Sequence, residues 1–190
     1  PFDALVQRVL DSLLQDDPAW ARGLGVHSKD GLVPQFDRAS LDKNRARLRA
    51  MRDELEKVRV ADLDPNRALD HALLTARVAQ ELFQIEEIDV YRTRPTTYEV
   101  LFSVESYLNR NYAPLAQRLE SLVVHEEAAL KQIPFVRQNL SPVLSRPVVE
   151  TAIKVFSGYV QYLSKDVPKQ TGAFDDPALA DLGVVLGTDG

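Results

Sequence analysis

The three histidines are the residues with the most obvious catalytic chemistry. His27, His71 and His125 are separated by dozens of residues. Zinc catalysis on a helix usually uses two histidines one turn apart with a glutamate beside the first, because that spacing places both imidazoles on one face. Two glutamates follow His125, but Leu130 and Lys131 stand where a second histidine would follow. The sequence therefore predicts no metal and no cofactor in this chain, and we expect His125 to be a polar residue on an exposed helix face.

His27 lies in a glycine-rich segment, residues 17–37, that interrupts an otherwise helical sequence with three glycines, two prolines and the sole tryptophan. A loop of this kind can present side chains such as His27 and Asp30 to a cleft. A catalytic base also needs an orienting partner and a substrate proton, and the sequence identifies neither. We therefore favour a loop-stabilising role for His27 and keep both residues as cleft candidates. His71, beside Asp70, is expected to be partly buried and bonded to a carboxylate or a carbonyl.

A second group of polar side chains lies around an expected helix break at Pro95. Arg92 and Arg94 precede the break, and Tyr98 and Tyr112 follow it. Guanidinium groups bind carboxylates through paired hydrogen bonds, so a groove built from these side chains would suit an acidic peptide or small-molecule ligand. The alternative, which we favour, is that the arginines pair with nearby carboxylates, such as those of Glu86, Glu87 and Asp89.

Other common catalytic motifs are missing. The chain has no cysteine, which excludes disulfides and thiolate chemistry. Gly23 and Gly25 lack the third glycine and the Lys-Ser/Thr pair of a phosphate-binding loop, and Ser157 lacks a preceding glycine at the spacing of a nucleophile elbow. The two glycines are better explained as the end of a short helix from Pro18 to Arg22.

Composition and charge limit the partners. With 45% hydrophobic and 27% charged residues, the chain has the composition of an ordinary soluble globular protein. Its net charge of -5 argues against binding nucleic acid or anionic membrane by bulk electrostatics, and no apolar run is long enough to span a bilayer. The compartment stays open: cytoplasmic, or secreted or periplasmic with a signal already removed. Because the chain begins at Pro1 and stops at Gly190 on a turn-like sequence, we expect both ends to lie within a longer protein.

Helical periodicity positions all of these groups. Apolar residues recur at helical spacing in residues 2–15, 41–58 and 65–90, and further helices are expected from Thr97, Pro114, Pro147 and Pro177. Asp64 and Pro65 form a helix start, while breaks are expected at 133–134 and 141–142. No segment alternates at a period of two. The sequence predicts an all-α fold, an irregular multi-helix bundle of about six to eight helices in a single domain over residues 1–190.

The helix after Ser145 has the broadest apolar arc. Its first column consists of Val149, Ile153, Phe156, Val160 and Leu163, and a second column of apolar residues lies beside it. Such an arc predicts burial over much of the helix circumference.

An ordered set of short motifs carries a family resemblance. They are Pro18-Ala19, Gly23-Leu-Gly-Val-His27, Asp30-Gly-Leu32, Asp37, Ser40, Arg94-Pro95, Tyr98, Tyr112-Ala-Pro114, Arg118, Ile133-Pro134, Asn139-Leu140, Pro147, Glu150-Thr-Ala152 and Gly158. In this order and spacing they resemble a bacterial family catalogued as domain of unknown function 885, over nearly the whole chain.

The resemblance implies that this chain is one part of a larger protein. Members of the family are much longer, mostly helical, and look like gluzincin-type metallopeptidases whose zinc motif, a His-Glu pair followed by further histidines, lies in the C-terminal half. Those residues do not occur here, so none is transferred. The first hypothesis is a non-catalytic N-terminal helical part of a zinc-dependent hydrolase, with the C-terminal part of the same protein as partner and holder of the zinc. The alternative is a stand-alone helical ligand- or protein-binding module. A large exposed apolar patch favours the first, and a closed surface with one concave pocket favours the second.

Overall fold

The computed structural model describes residues 2–171, and the helix expected from Pro177 lies outside the described residues. In the described part, helices are joined by turns and short loops, without β-strands. The α-helices are α1 (Phe2–Asp16), α2 (Pro18–Gly23), α3 (Arg38–Glu56), α4 (Pro65–Glu86), α5 (Val90–Thr93), α6 (Glu105–Asn109), α7 (Leu115–Asn139), α8 (Arg146–Gln161) and α9 (Val167–Thr171). Short 3₁₀ helices occupy His27–Lys29, Val60–Asp62 and Pro95–Phe102, and a π-helical turn, Tyr162–Asp166, joins α8 to α9. The predicted all-α class is confirmed.

Aspartate caps begin three of the first four helices. The side chain of Asp17 accepts a hydrogen bond from the Trp20 amide at the start of α2, and Asp37 accepts one from the Ser40 amide at the start of α3. Asp64 caps α4 ahead of a first-turn proline, as expected from the sequence. Each cap satisfies an amide that the helix itself leaves without a partner.

The first part of the core joins α1, α3 and α4. The apolar stripes predicted for α1 and α3 are buried there against one face of α4, and the buried side chains are Leu5, Val9, Leu13, Leu48, Met51, Leu55, Leu74, Val78, Leu82 and Ile85. Leu69, Leu73 and Phe83, which also belong to the apolar pattern of residues 65–90, are exposed instead. The helical period allows both sets, and packing selects the row that faces α1 and α3.

The rest of the core lies around α7. One cluster combines α6, α7 and α9, and another fastens the segment 32–36, which has no regular secondary structure, to α7 and to the 3₁₀ helix Pro95–Phe102. The backbone of this segment forms hydrogen bonds with side chains of α7, where a β-strand would bond to a neighbouring strand. The Phe36 amide donates to the side chain of Gln132 at 2.9 Å, and Asn139 donates to the Phe36 carbonyl at 2.8 Å.

The break between α4 and α7 differs from the sequence expectation. Helix α4 ends at Glu86 rather than near Val90, and Asp89 adopts a left-handed conformation with φ of 54° before α5. Thr97 does not cap a new helix but lies inside the 3₁₀ helix Pro95–Phe102. The buried residues of this 3₁₀ helix, Pro95, Tyr98 and Leu101, recur every three residues, which is the repeat of a 3₁₀ helix.

The turn predicted at Ile133-Pro134 is wrong. Helix α7 continues through Pro134 to Asn139. Proline in a helix interior removes one backbone hydrogen bond, but Gln132 and Asn139 are held on either side of it by their bonds to Phe36. Tertiary contacts therefore offset the local preference for a break, and the chain turns at 141–142 as predicted.

The burial expected for α8 is also wrong for the described part of the chain. Ala152 is the buried residue of this helix, whereas Val149, Ile153 and Val160, from its first apolar column, are exposed. An apolar face of α8 thus points away from the described core. Among the described helices, none is both long and apolar enough to cross a membrane.

Candidate functional site

Three of the residues predicted to line a cleft meet at the glycine loop. The rings of His27 and Tyr112 are stacked, with centroids 3.4 Å apart and planes inclined by 11°. The Tyr112 hydroxyl donates to Asp30 Oδ2 at 2.6 Å, and His27 Nδ1 lies 3.4 Å from the same oxygen. A histidine, an aspartate and a tyrosine from distant parts of the chain therefore form one cluster, which we call the loop cluster.

Glycine geometry brings the loop cluster together. Gly31 has a φ of +75°, a left-handed conformation that side chains rarely adopt, and a Cβ at this position would lie 2.9 Å from Cγ1 of Val124 on α7. Its amide donates to the Tyr107 hydroxyl at 2.9 Å. The loop thus lies directly on α7 because Gly31 has no side chain.

The loop cluster is half-buried. Burial, followed by the hydrogen bond to Asp30, raises the pKa of the Tyr112 hydroxyl above its ordinary value. His27 Nδ1 and Asp30 Oδ1 are buried without a hydrogen-bond partner among the described residues. The Asp30 carboxylate approaches the His27 imidazole but forms no hydrogen bond with it, so the cluster lacks the base-to-partner bond that orients a catalytic base. The geometry fits a cluster that holds the loop.

A buried polar chain continues inward from the loop cluster. His125 is fully buried, at 0% exposure, rather than on an exposed helix face as the sequence suggested. Its Nε2 lies 2.9 Å from the Leu101 carbonyl, and its Nδ1 lies 3.4 Å from the Tyr107 hydroxyl. A carbonyl can only accept, so Nε2 carries the proton and Nδ1 accepts from Tyr107. Burial, together with the charge of Arg22, lowers the pKa of His125 to about 4.

Two buried arginines complete this region, and sequence reasoning missed both as candidates. Arg22 is 1% exposed; it donates to the Leu32 carbonyl at 3.0 Å and lies 5.1 Å from the centroid of the Tyr107 ring. Arg118 donates to the Tyr107 and Ala113 carbonyls. Arginine is rarely buried, so the useful signal for Arg118 was position: it lies four residues before Leu122 and seven before His125, on the buried face of α7.

Comparison with known proteins gives the family. A model of the family described as bacterial protein of unknown function (DUF885) matches residues 18–183. The chain belongs to the DUF885 family. In a search of curated proteins, no match was found.

A solved structure has the same fold as this DUF885 chain. It is described as that of "a putative lipoprotein of unknown function from Shewanella oneidensis", and it matches with a TM-score of 0.82 at 24% sequence identity. The match covers 99% of the DUF885 chain but 34% of the other chain. The described fold thus corresponds to about a third of that lipoprotein.

Arg92, Arg94 and Tyr98 lie apart from the loop cluster in the DUF885 chain. Arg92 and Arg94 are exposed on and after α5, and Arg94 donates to the Gln84 side chain at 3.4 Å. Within the described residues neither forms an ion pair. Tyr98 is buried against Phe36, and its hydroxyl donates to the Tyr91 carbonyl at 2.8 Å. Burial raises the pKa of Tyr98 to about 12.

The described residues do not fit a zinc site. Residues 2–171 contain no group of three histidines, cysteines or carboxylates close enough to share a metal ion. His125 uses both ring nitrogens inside the core. Nε2 of the half-buried His71 lies 2.9 Å from the Leu55 carbonyl, which confirms the expected bond to a carbonyl.

Proposed function

We propose that this DUF885 chain is the helical part of a longer, zinc-dependent hydrolase-like protein, that it is non-catalytic by itself, and that the apolar face of α8 packs against the rest of that protein. The observation that carries the proposal is the exposure of Val149, Ile153 and Val160 along one face of α8. A helix face this apolar is normally covered.

A groove beside α8 extends this apolar surface. It has a volume of about 390 Å³ and lies between α8, the C-terminal half of α7 and the 3₁₀ helix Pro95–Phe102. Phe102 and Phe156 meet edge to face there, with centroids 5.7 Å apart, and nearly all the other lining side chains are apolar. A helix laid on α8 would fill the groove with its own apolar side chains, and the burial would stabilise the assembly by about 25 cal/mol for each Å² removed from water.

The length of the structural neighbour supports the same proposal. The chain matches 34% of that lipoprotein, so about two thirds of a protein of that length would be available to cover α8. The remainder would also hold the zinc, as the sequence resemblance to gluzincin-type metallopeptidases implies. The loop cluster, in which no hydrogen bond joins Asp30 to His27, suits a wall of the cleft rather than its catalytic centre.

The first test is to read the gene beyond the codon for Gly190 and to express the longer product. We expect a His-Glu zinc motif there, stoichiometric zinc by metal analysis in the longer protein, and no zinc in the chain studied alone. A longer product without a metal motif and without bound zinc would contradict the hydrolase assignment.

The second test addresses the α8 face. Ile153→Glu should change the unfolding free energy of the chain alone by less than about 0.5 kcal/mol, because the side chain is already 61% exposed. In the longer protein the same variant should cost about 2 kcal/mol or more, since it buries a charge in an apolar interface. Val60→Glu, in the 3₁₀ helix Val60–Asp62 at a position that is 46% exposed, is the control and should change neither protein. Equal effects of Ile153→Glu in the two proteins would refute the packing of α8 against the remainder.

A further inference from the structure

A polar cleft lies between the C-terminal end of α1, the segment 32–36 and helices α3 and α4. It consists of two adjoining cavities of about 180 Å³ and 310 Å³. The residues that line both cavities are Asp16, Pro34, Phe36, Asn44 and Tyr91. The cleft is separate from the loop cluster and from α8, so its ligand would be distinct from the partner proposed for α8.

Two ion pairs face this cleft, and both are incomplete. Asp16 pairs with Arg47, and Arg77 pairs with Glu81 at 2.7 Å. Asp16 Oδ2, Arg47 Nε and Arg77 Nε are nevertheless shielded from solvent without a hydrogen-bond partner among the described residues. Buried polar atoms are nearly always paired, because an unpaired one loses its hydration without compensation. One open acceptor and two open donors therefore lie at the same cleft.

The charges in the cleft are separated. The smaller cavity is lined by the carboxylates of Asp16, Asp17 and Glu81 and by one cation, Arg77. The larger cavity adds Lys43 and Arg47 beside Asp16. Burial raises the pKa of the Asp16 carboxyl above its usual range although Arg47 lies beside it, and Glu81 and Asp17 act in the same direction. The smaller cavity thus favours an added positive charge, and the larger one an added negative charge.

We propose that this cleft binds a small zwitterion such as an amino acid or a dipeptide, with its ammonium group between Asp16 and Glu81 and its carboxylate at Arg47 and Lys43. The ammonium group donates to Asp16 Oδ2, and the carboxylate accepts from Arg47 Nε, so two of the three open atoms gain charged partners. Hydrogen bonds between charged groups are the strongest class available to such a site. A molecule with only one of the two charges satisfies only one end.

Trp20 provides the readout for a binding experiment. It is the sole tryptophan of the chain, and the guanidinium carbon of Arg77 lies 5.3 Å from its ring centroid. We expect a saturable change of Trp20 fluorescence when the chain is titrated with L-alanyl-L-alanine. N-acetyl-L-alanyl-L-alanine, which lacks the ammonium group, and L-alanyl-L-alaninamide, which lacks the carboxylate, should each bind at least about tenfold more weakly.

Variants assign the two ends of the ligand. Asp16→Asn should weaken binding of L-alanyl-L-alanine about tenfold and reduce its advantage over the N-acetylated analogue. Arg47→Gln should likewise weaken binding of L-alanyl-L-alanine about tenfold and reduce its advantage over L-alanyl-L-alaninamide. Arg49→Gln is the matched control, because Arg49 lies on α3 but pairs with Glu86 outside the cleft. Circular dichroism establishes that each variant is folded.

Three results would overturn the proposal. They are the absence of saturable binding of L-alanyl-L-alanine to the wild-type chain, equal binding of the capped analogues, and unchanged affinity in both cleft variants. If Asp16→Asn or Arg47→Gln fails to fold, the comparison of the three ligands on the wild-type chain decides the question by itself.

Discussion

Replacing His125 by glutamine should reduce stability more at pH 7 than at pH 5. His125 is fully buried, and its pKa is lowered to about 4 in the folded chain, whereas an unfolded histidine titrates near pH 6.5. The folded state therefore binds the proton less readily than the unfolded state. The stability that the neutral imidazole contributes is present above about pH 6.5 and is lost as the pH falls toward 4.

The magnitude follows from the two pKa values. Integrated between pH 7 and pH 5, the difference amounts to about 2 kcal/mol of unfolding free energy. The side chain of His125→Gln can still donate to the Leu101 carbonyl but does not titrate. Its cost relative to wild type, measured by urea unfolding, should be about 2 kcal/mol larger at pH 7 than at pH 5.

Tyr107→Phe is the control for this experiment. It removes the hydroxyl that lies 3.4 Å from His125 Nδ1 but leaves the imidazole in place, so its cost should vary with pH much less than that of His125→Gln. Each variant must be compared with wild type at the same pH, because Glu126 also titrates in this range. Burial raises the pKa of Glu126 to about 7, so its contribution to stability falls as the pH rises, whereas that of His125 increases. A cost of His125→Gln that is equal at pH 5 and pH 7 would refute the buried neutral imidazole.

Three further predictions use the same unfolding assay. Glu126→Gln should stabilise the chain at pH 8 by about 1–3 kcal/mol and have little effect below pH 5. The reason is that the wild-type carboxyl must lose its proton in a partly buried site as the pH rises through about 7. An effect independent of pH would contradict this. Gly31→Ala should lower the unfolding free energy by about 2–4 kcal/mol, because Gly31 has a positive φ and an added Cβ would contact Val124. Gly25→Ala should lower it by about 1 kcal/mol, because Gly25 has a positive φ but open space around it. Equal losses of stability would refute the close approach of Gly31 to α7. Asp64→Ala should cost about 1 kcal/mol, since its side chain accepts from two amides at the start of α4, and an unchanged stability would refute that cap.

The sequence predicted the regular part of the fold because α1, α3 and α4 repeat apolar residues at helical spacing and α4 begins with Asp64 and Pro65. It mispredicted His125 because residue type was given more weight than position. Leu122, His125 and Ala129 recur at helical spacing and are all buried, so the stripe on α7 could have predicted the burial of the histidine. Pro134 was expected to end the helix because of its local effect on the backbone. The hydrogen bonds of Gln132 and Asn139 to Phe36 outweigh that effect, and α7 continues through the proline.

The candidate site was only partly accessible from sequence. The glycine loop drew attention to His27 and Asp30, but the stacking of Tyr112 on His27 joins residues 85 positions apart, which no local pattern encodes. The apolar arc of α8 indicated a covered helix face without indicating what covers it. Amphipathicity reports that a face is apolar, and only the three-dimensional arrangement shows whether the same chain buries it.

The hydrogen bonds between the Phe36 backbone and α7 affect how the chain folds during its synthesis. The backbone of Phe36 bonds to Gln132 and Asn139, which follow it by 96 and 103 residues. At a translation rate of about 5–20 residues per second, the segment 32–36 is synthesised roughly 5–20 s before its partners. Contacts of such long sequence separation also form late, because the intervening chain must first close a large loop. Helices α1, α3 and α4 can pack early, while the peptide groups of this segment remain hydrated and open to proteases or chaperones until α7 arrives.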